Sequence, residues 1–382
     1  MKIFVAGATG AIGRTLIAQL LAQGHEVVAL TRSLEKAQTL AEQGVELAIA
    51  DVFDADAVKA AITRTQPEVV IEQLTSLPKT YTSESMSAAA ALNTRIRREG
   101  GANVLAAAQA AGVRRYLRQS IAFWAIPGTG LADEETPLAF DAAPAVAADA
   151  HVVTEIERHL LGNPNLEGIA LRYGFLYGPG TWFAPDGDVA QQVRQQQFPI
   201  VGNGEGVWSW LHIEDAAIAT VAAAERGNPG IYLITDDHPL TVREWLSAYA
   251  QWLNAPPPPQ ISVEEALRIG GADAVYYGTQ MRGAWNAKAK RELNFQPDPW
   301  NGWLTASWLM PVKNLGEKRD ENCSIWNSDR GHPCDRTRTA WFSACGNPSS
   351  PLNTSEFICG YCDLCNSHHC SRFTLDTVLP HW

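Results

Sequence analysis

Three glycines, Gly7, Gly10 and Gly13, stand three residues apart behind a short apolar run, Ile3 to Ala6. The run reads as a buried strand. Arg14 to Gln23 reads as a helix, with Ile12, Leu16, Ile17, Leu20 and Leu21 on one face. Strand, glycine turn and helix form a layout that binds a dinucleotide. Gly7 permits the tight turn, Gly10 lets backbone approach a pyrophosphate, and Gly13 lets the helix pack close to the strand. Thr9, Ala11 and Ile12 fill out a turn whose helix N-terminus offers unpaired N–H groups to the phosphates.

Other residues fit around that turn. His25 to Leu30 reads as a second strand, ending in Thr31-Arg32-Ser33. An acidic residue there would bind the ribose hydroxyls and favour NAD. Arg32 instead suits the 2′-phosphate of NADP, as a charge-assisted contact. The expected cofactor is therefore NADP, with NAD the alternative. A solvated arginine at a strand end is the competing reading.

Further strands are expected at Val45–Ala50, Glu68–Glu72, Val113–Gln119 and Glu167–Arg172, alternating with helices at Leu34–Gln43, Asp54–Thr63, Ser85–Ala111 and His151–Leu161. The alternation gives a parallel, doubly wound Rossmann-type α/β sheet whose ligands bind at the carboxyl ends of the strands. Residues 125–149, with several glycines and prolines, read as a long loop over that end. Arg95, Arg97 and Arg98 on the Ser85–Ala111 helix read as solvated. Thr241–Leu253, Val263–Tyr277 and Asn286–Leu293 suggest a small, mostly helical C-terminal lobe. Trp182, Trp208, Trp210, Tyr276, Tyr277 and Trp285 are candidates to line its pocket or to fill its core.

The motif Gly-Ala-Thr-Gly-Ala-Ile-Gly at residues 7–13 resembles the opening of extended and atypical short-chain dehydrogenases/reductases, including the NAD-dependent epimerase/dehydratase proteins. Residues 166–182, 198–204, 207–217 and 282–293 carry the resemblance to about residue 305. It implies NAD(P) binding. It also implies that Asp51 and Val52 sit against the adenine, and that Leu74 and Thr75 run along the cofactor. Tyr173 and Phe175 match positions on the nicotinamide side. Ser120 matches the catalytic Ser or Thr that hydrogen-bonds the substrate oxygen; a strand-end serine bonding backbone is the alternative.

Reductases of this superfamily use a Tyr-x-x-x-Lys pair on the helix that begins here near His151. No tyrosine of this chain has a lysine four residues on. His151 titrates near neutrality and is a candidate proton carrier; a purely structural helix-start histidine is the commoner case. His212 and Asp215 read as strand-end packing and a helix-start carboxylate.

Residues 1–322 contain no cysteine, and all seven lie beyond. Cys359, Cys362, Cys365 and Cys370, with His368 and His369, suggest a metal, but their spacing matches neither an iron–sulfur run nor two separated zinc-ligand pairs. No metal site is expected, and the tail reads as a disordered extension. The expected division is 1–180 for the dinucleotide-binding domain (with parts of 205–240), 181–310 for substrate-lobe segments and 311–382 for an irregular tail.

Of the 382 residues, 46% are hydrophobic and 19% charged, with net charge −11. That balance provides ample core and argues against a nucleic-acid or anionic-membrane partner. No apolar run is long enough to span a bilayer. The expectation is a cytoplasmic, NAD(P)-dependent oxidoreductase or epimerase/dehydratase-like enzyme acting on a small organic molecule, with a homodimer left open. The alternative is a non-catalytic NAD(P)-binding sensor or partner-binding protein.

Overall fold

A computed structural model describes residues 1–298; the Cys-containing tail, and the expectations attached to it, lie outside the described residues. Seven parallel strands form the central sheet. In chain order they are β1 (Lys2–Ala6), β2 (Glu26–Thr31), β3 (Glu46–Ile49), β4 (Val69–Glu72), β5 (Arg115–Ile121), β6 (Glu167–Tyr173) and the Gly230–Ile234 strand. Gly230–Ile234 forms one edge, followed across the sheet by β6, β5, β4, β1, β2 and β3. The order reverses between β1 and β4, so a crevice opens at their carboxyl ends. The strands are near-continuous apolar runs because both faces are covered.

Helices α1 (Ala11–Ala22) and α8 (Ile213–Arg226) pack together on one face, over Ile3, Val5, Ile71, Leu117 and Ile169. Helices α3 (Ala55–Thr65), α5 (Gly101–Ala110) and α6 (Pro144–Leu161) cover the other, over Phe4, Val28, Val70 and Tyr116. Helix α2 (Leu34–Ala41) follows β2. The 181–298 segments contribute α7 (Asp188–Arg194), α9 (Val242–Trp252), α10 (Val263–Val275), α11 (Ala287–Leu293) and two two-stranded ribbons, and Trp210–His212 pairs with Phe175–Tyr177 in a third. Trp208, Trp210, Trp245, Tyr249 and Tyr276 are buried in a second core there, whereas Trp285 is exposed.

Two elements depart from the sequence expectation. Helix α6 starts at Pro144, so the last residues of the expected loop are its first two turns. Proline is favoured at the first helical position, where its missing N–H costs nothing. The expected Ser85–Ala111 helix is α4 (Ser83–Arg95), a π turn over Ile96–Gly100, then α5. The π turn brings Gly100 against Val52, and Gly101 against a buried pair, Glu72 and Arg118, joined at 2.7 Å. A methyl group on Gly101 would collide with the Arg118 guanidinium and lie 2.7 Å from Glu72 Oε1.

Gly101→Ala should therefore destabilise the protein by about 1–3 kcal/mol of overpacking, outweighing the roughly 1 kcal/mol of helix propensity that alanine brings. Urea unfolding reads the change. A midpoint equal to or above the wild type would refute the packing account.

Candidate active site

At the first turn, Gly7 has φ +91°, a conformation that favours glycine. A Cβ there would strike the Gln73 carbonyl, and one on Gly13 would strike the carbonyls of Gly7 and Ala8. The Gly10 N–H donates to Gly7 O at 3.1 Å. Helix α1 starts at this turn with no side-chain cap and no acidic residue in its first turn. Its free N–H groups and dipole suit a pyrophosphate, so the cradle fits a dinucleotide. Thr9 and Ala11 are half-buried beside it, while the Ile12 side chain belongs to the core.

Arg32 projects into solvent from the end of β2, its guanidinium 3.9 Å from Asp51. Asp51 accepts from the Phe53 N–H at 3.0 Å, and Val52 is buried beneath Gly100. Leu74 and Thr75 follow β4 and lead into a small cleft. Arg97, Gln119, Ser120, Ile121, Val153 and Ile156 line the rest of it.

Within that cleft the Ser120 hydroxyl is already committed. It donates to Glu157 Oε1 at 2.6 Å, and Glu157 also accepts from Arg172 at 2.9 and 2.6 Å. All three are buried. His151 is exposed on the outer side of α6 and stacks on Phe140, ring centroids 4.8 Å apart; it does not line the cleft. The inner side of α6 instead carries Asp149 and Val153, four residues apart, the spacing a Tyr-x-x-x-Lys pair needs. Tyr173 is core: its hydroxyl bonds Gln73 Nε2 at 2.9 Å and Thr220 Oγ1 at 2.6 Å, so its side chain does not reach the cleft. Phe175 sits in a stack with Phe123 at 4.1 Å and Trp208 at 3.9 Å.

Arg97 corrects the sequence reading. Arg95 and Arg98 are exposed and pair with Glu99 and Glu155. The Arg97 side chain is only 15% exposed, and its Nη1 lies 3.7 Å from Asp149 Oδ1. Its guanidinium is 5.9 Å from the Trp124 ring, and Trp124 Nε1 donates to the Tyr277 hydroxyl at 2.9 Å. Burial raises the Asp149 carboxyl above its ordinary range, against the opposing pull of Arg97. The signal was present in the spacing: residues i and i+3 share a helix face, while i and i+2 do not. Asp149, Glu157 and Arg172 had no motif to mark them.

A second group of acids lies near the Gly230–Ile234 strand. Tyr177 donates to Asp236 at 2.9 Å. Burial pushes Asp236 and the fully buried Asp215 each up to about 7, and the Asp215 carboxylate raises Asp236 further. His212 caps α8, its Nδ1 accepting from the Glu214 N–H at 3.3 Å. Among the described residues no cluster has the make-up of a metal site, and no helix is long and apolar enough to cross a membrane.

Residues 3–235 match the model of the NAD dependent epimerase/dehydratase family. The chain belongs to that family. It is an enzyme of NAD(P)-dependent oxidoreductase type. A 3-diazoavenalumate denitrifying reductase from a Streptomyces species is 42% identical over 299 residues, 78% of this chain and 96% of that one. A 2-alkyl-3-oxoalkanoate reductase from Stenotrophomonas maltophilia is 29% identical, over 71% of this chain and 81% of the other. Among solved structures, DesIV, a dTDP-glucose 4,6-dehydratase from Streptomyces venezuelae with NAD bound, superposes with a TM-score of 0.63. It shares 21% identity, and the match covers 83% of this chain and 98% of that one. That likeness is one of fold.

The acid pair gives a pH prediction. Asp215 and Asp236 hold their protons more tightly in the folded chain, near 7, than an unfolded aspartate does at about 3.9. Their contribution to stability is full below the unfolded value and is lost as pH rises from about 4 through 7. Asp236→Asn should therefore gain in melting temperature relative to wild type between pH 5 and pH 8. A pH-independent difference would remove the linkage.

Proposed function

We propose that this protein is an NADPH-preferring reductase that replaces the diazo group of a small aromatic compound with hydrogen. The observation that carries the reading is the inner face of α6, which presents Asp149 and Val153 four residues apart and no Tyr–Lys pair. The 42% identity with a denitrifying reductase, along nearly its whole length, points to the same chemistry.

A bound nicotinamide supplies hydride. Replacing an arenediazonium group by hydrogen consumes that hydride and no net proton: ArN2⁺ and H⁻ give ArH and N2. Ketone reduction, by contrast, leaves an alkoxide that must be protonated. A site without a Tyr–Lys pair suits the first reaction and hinders the second. The turn at Gly7, Thr9, Gly10, Ala11, Ile12 and Gly13 would hold the pyrophosphate, and Asp51 and Val52 the adenine end. Leu74, Thr75 and Phe175 would lie toward the nicotinamide. Ser120, fixed by Glu157, gives the cleft a rigid oxygen for orienting substrate. His151 has no part in this chemistry. Arg32, with no acid at the end of β2, supports NADP over NAD.

Two measurements test this reading. Titration followed by nicotinamide fluorescence should show tighter binding of NADPH than of NADH. Arg32→Ala should weaken NADPH roughly ten- to a hundredfold, the worth of a charged hydrogen bond, and leave NADH nearly unchanged. Equal losses for both would return the specificity to an open question of NAD. Separately, 2-hydroxybenzenediazonium should be consumed with one N2 released per NADPH oxidised. Turnover of simple ketones with none of the diazonium compound would sink the reaction class.

A further inference from the structure

Resting on that reading, one feature of the cleft narrows the substrate. Arg97 is the only cleft-lining side chain that carries a full charge, and among the described residues it makes no hydrogen bond. Its nearest counter-charge, Asp149, is 3.7 Å away, beyond hydrogen-bonding distance. Glu72 also attracts it, but Glu72 is occupied: it accepts from the Tyr116 hydroxyl at 2.5 Å and Arg118 Nε at 2.7 Å. Arg118 repels it, and the Tyr277 hydroxyl already accepts from Trp124. A guanidinium has five N–H donors in a planar fork. Here that fork is mostly buried, unbonded and open to the cleft that holds Thr75 and Ser120.

A guanidinium facing a cleft with no protein acceptor is left to water or to a ligand's oxygen. A plain arenediazonium cation would add a second positive charge beside Arg97 in a low-dielectric cleft, which is repulsive. A diazonium carrying a phenolate on the same ring is neutral overall and brings an anionic oxygen. We propose that Arg97 binds an anionic oxygen of the substrate, so that the cleft selects hydroxyarenes in their phenolate form, and that Asp149 is the resting counter-charge that competes with that oxygen for Arg97.

The test is binding to the full-length protein with saturating NADP, read by tryptophan quenching and by the visible band of the probe. The probes are 4-nitrophenolate and its neutral analogue 4-nitroanisole. Wild type should prefer the phenolate by roughly ten- to a hundredfold. Arg97→Met should lose that preference while retaining 4-nitroanisole and NADPH binding. Asp149→Asn frees the guanidinium of its counter-charge and should tighten the phenolate severalfold without tightening the anisole; it serves also if Arg97→Met fails to fold. An equal preference in wild type and Arg97→Met, no preference in wild type, or no response to Asp149→Asn would overturn the assignment. Failure of wild type to bind NADPH in the same cuvette would instead strike the reductase reading, so the two failures are told apart.

Discussion

The contact on which the site depends is the approach of Gly7 to the backbone of Gln73. It leaves no room for a Cβ, and it lies where the sheet order reverses between β1 and β4. The same residue links that turn to the helix packed beside α1. Gln73 Nε2 donates to the Tyr173 hydroxyl; Tyr173 in turn bonds Thr220, and the Thr220 hydroxyl donates to Ala216 O in α8. With Thr220's proton committed to Ala216, the Tyr173 proton must go to Thr220. The chain has one direction, and it ties the turn to β6 and α8. Tyr173 therefore serves the site from within the core.

The opposite face of the sheet meets the cleft through buried charge. Glu72 of β4 joins Arg118 and Tyr116 of β5, and Glu157 of α6 joins Arg172 of β6 and Ser120 of β5. Buried pairs of this kind repay their desolvation only with several hydrogen bonds of good geometry. The Glu157 pair has them, whereas in the Glu72 pair Arg118 Nη2 is left without a hydrogen bond. Their gain is fixity: Ser120 has one place to be, and α6 is pinned to β6. Gly101 is the complement of this arrangement, since its missing side chain is the space that Glu72 and Arg118 occupy.

Much of the fold was legible because strand–helix alternation and apolar runs report the sheet directly. The glycine turn was legible because its geometry demands glycine at two positions. Arg97 was misread for a physical reason. Arg95 and Arg98 share a helix face that Arg97 does not, and a π turn begins at Ile96, one residue before Arg97. A π turn inserts a residue and re-aims those after it, and such turns gather at functional sites. Pro144 misled in a different way: proline ends helices in their interior but starts them at their first turn, and sequence alone did not say which applied. Asp149 and Glu157 lie eight residues apart on α6, too ordinary a spacing to suggest that one would face a buried arginine and the other hold a strand-end serine.

The lack of a Tyr–Lys pair also bears on how such a site keeps its reactivity. A tyrosine with a lysine beside it serves reactions in which charge builds on oxygen and a proton must follow. On the inner face of α6, Val153 brings no cation, and Asp149 puts a carboxylate beside Arg97. On its own, that charge would oppose any developing oxyanion. Arg97 offsets it from the neighbouring helix at 3.7 Å, so the pair is close to neutral and its field falls off quickly. The cleft is left with a strong local donor and little net charge. Such a site favours an acceptor that arrives with its own charges separated and gives them up on taking hydride, over one that must create charge during the reaction.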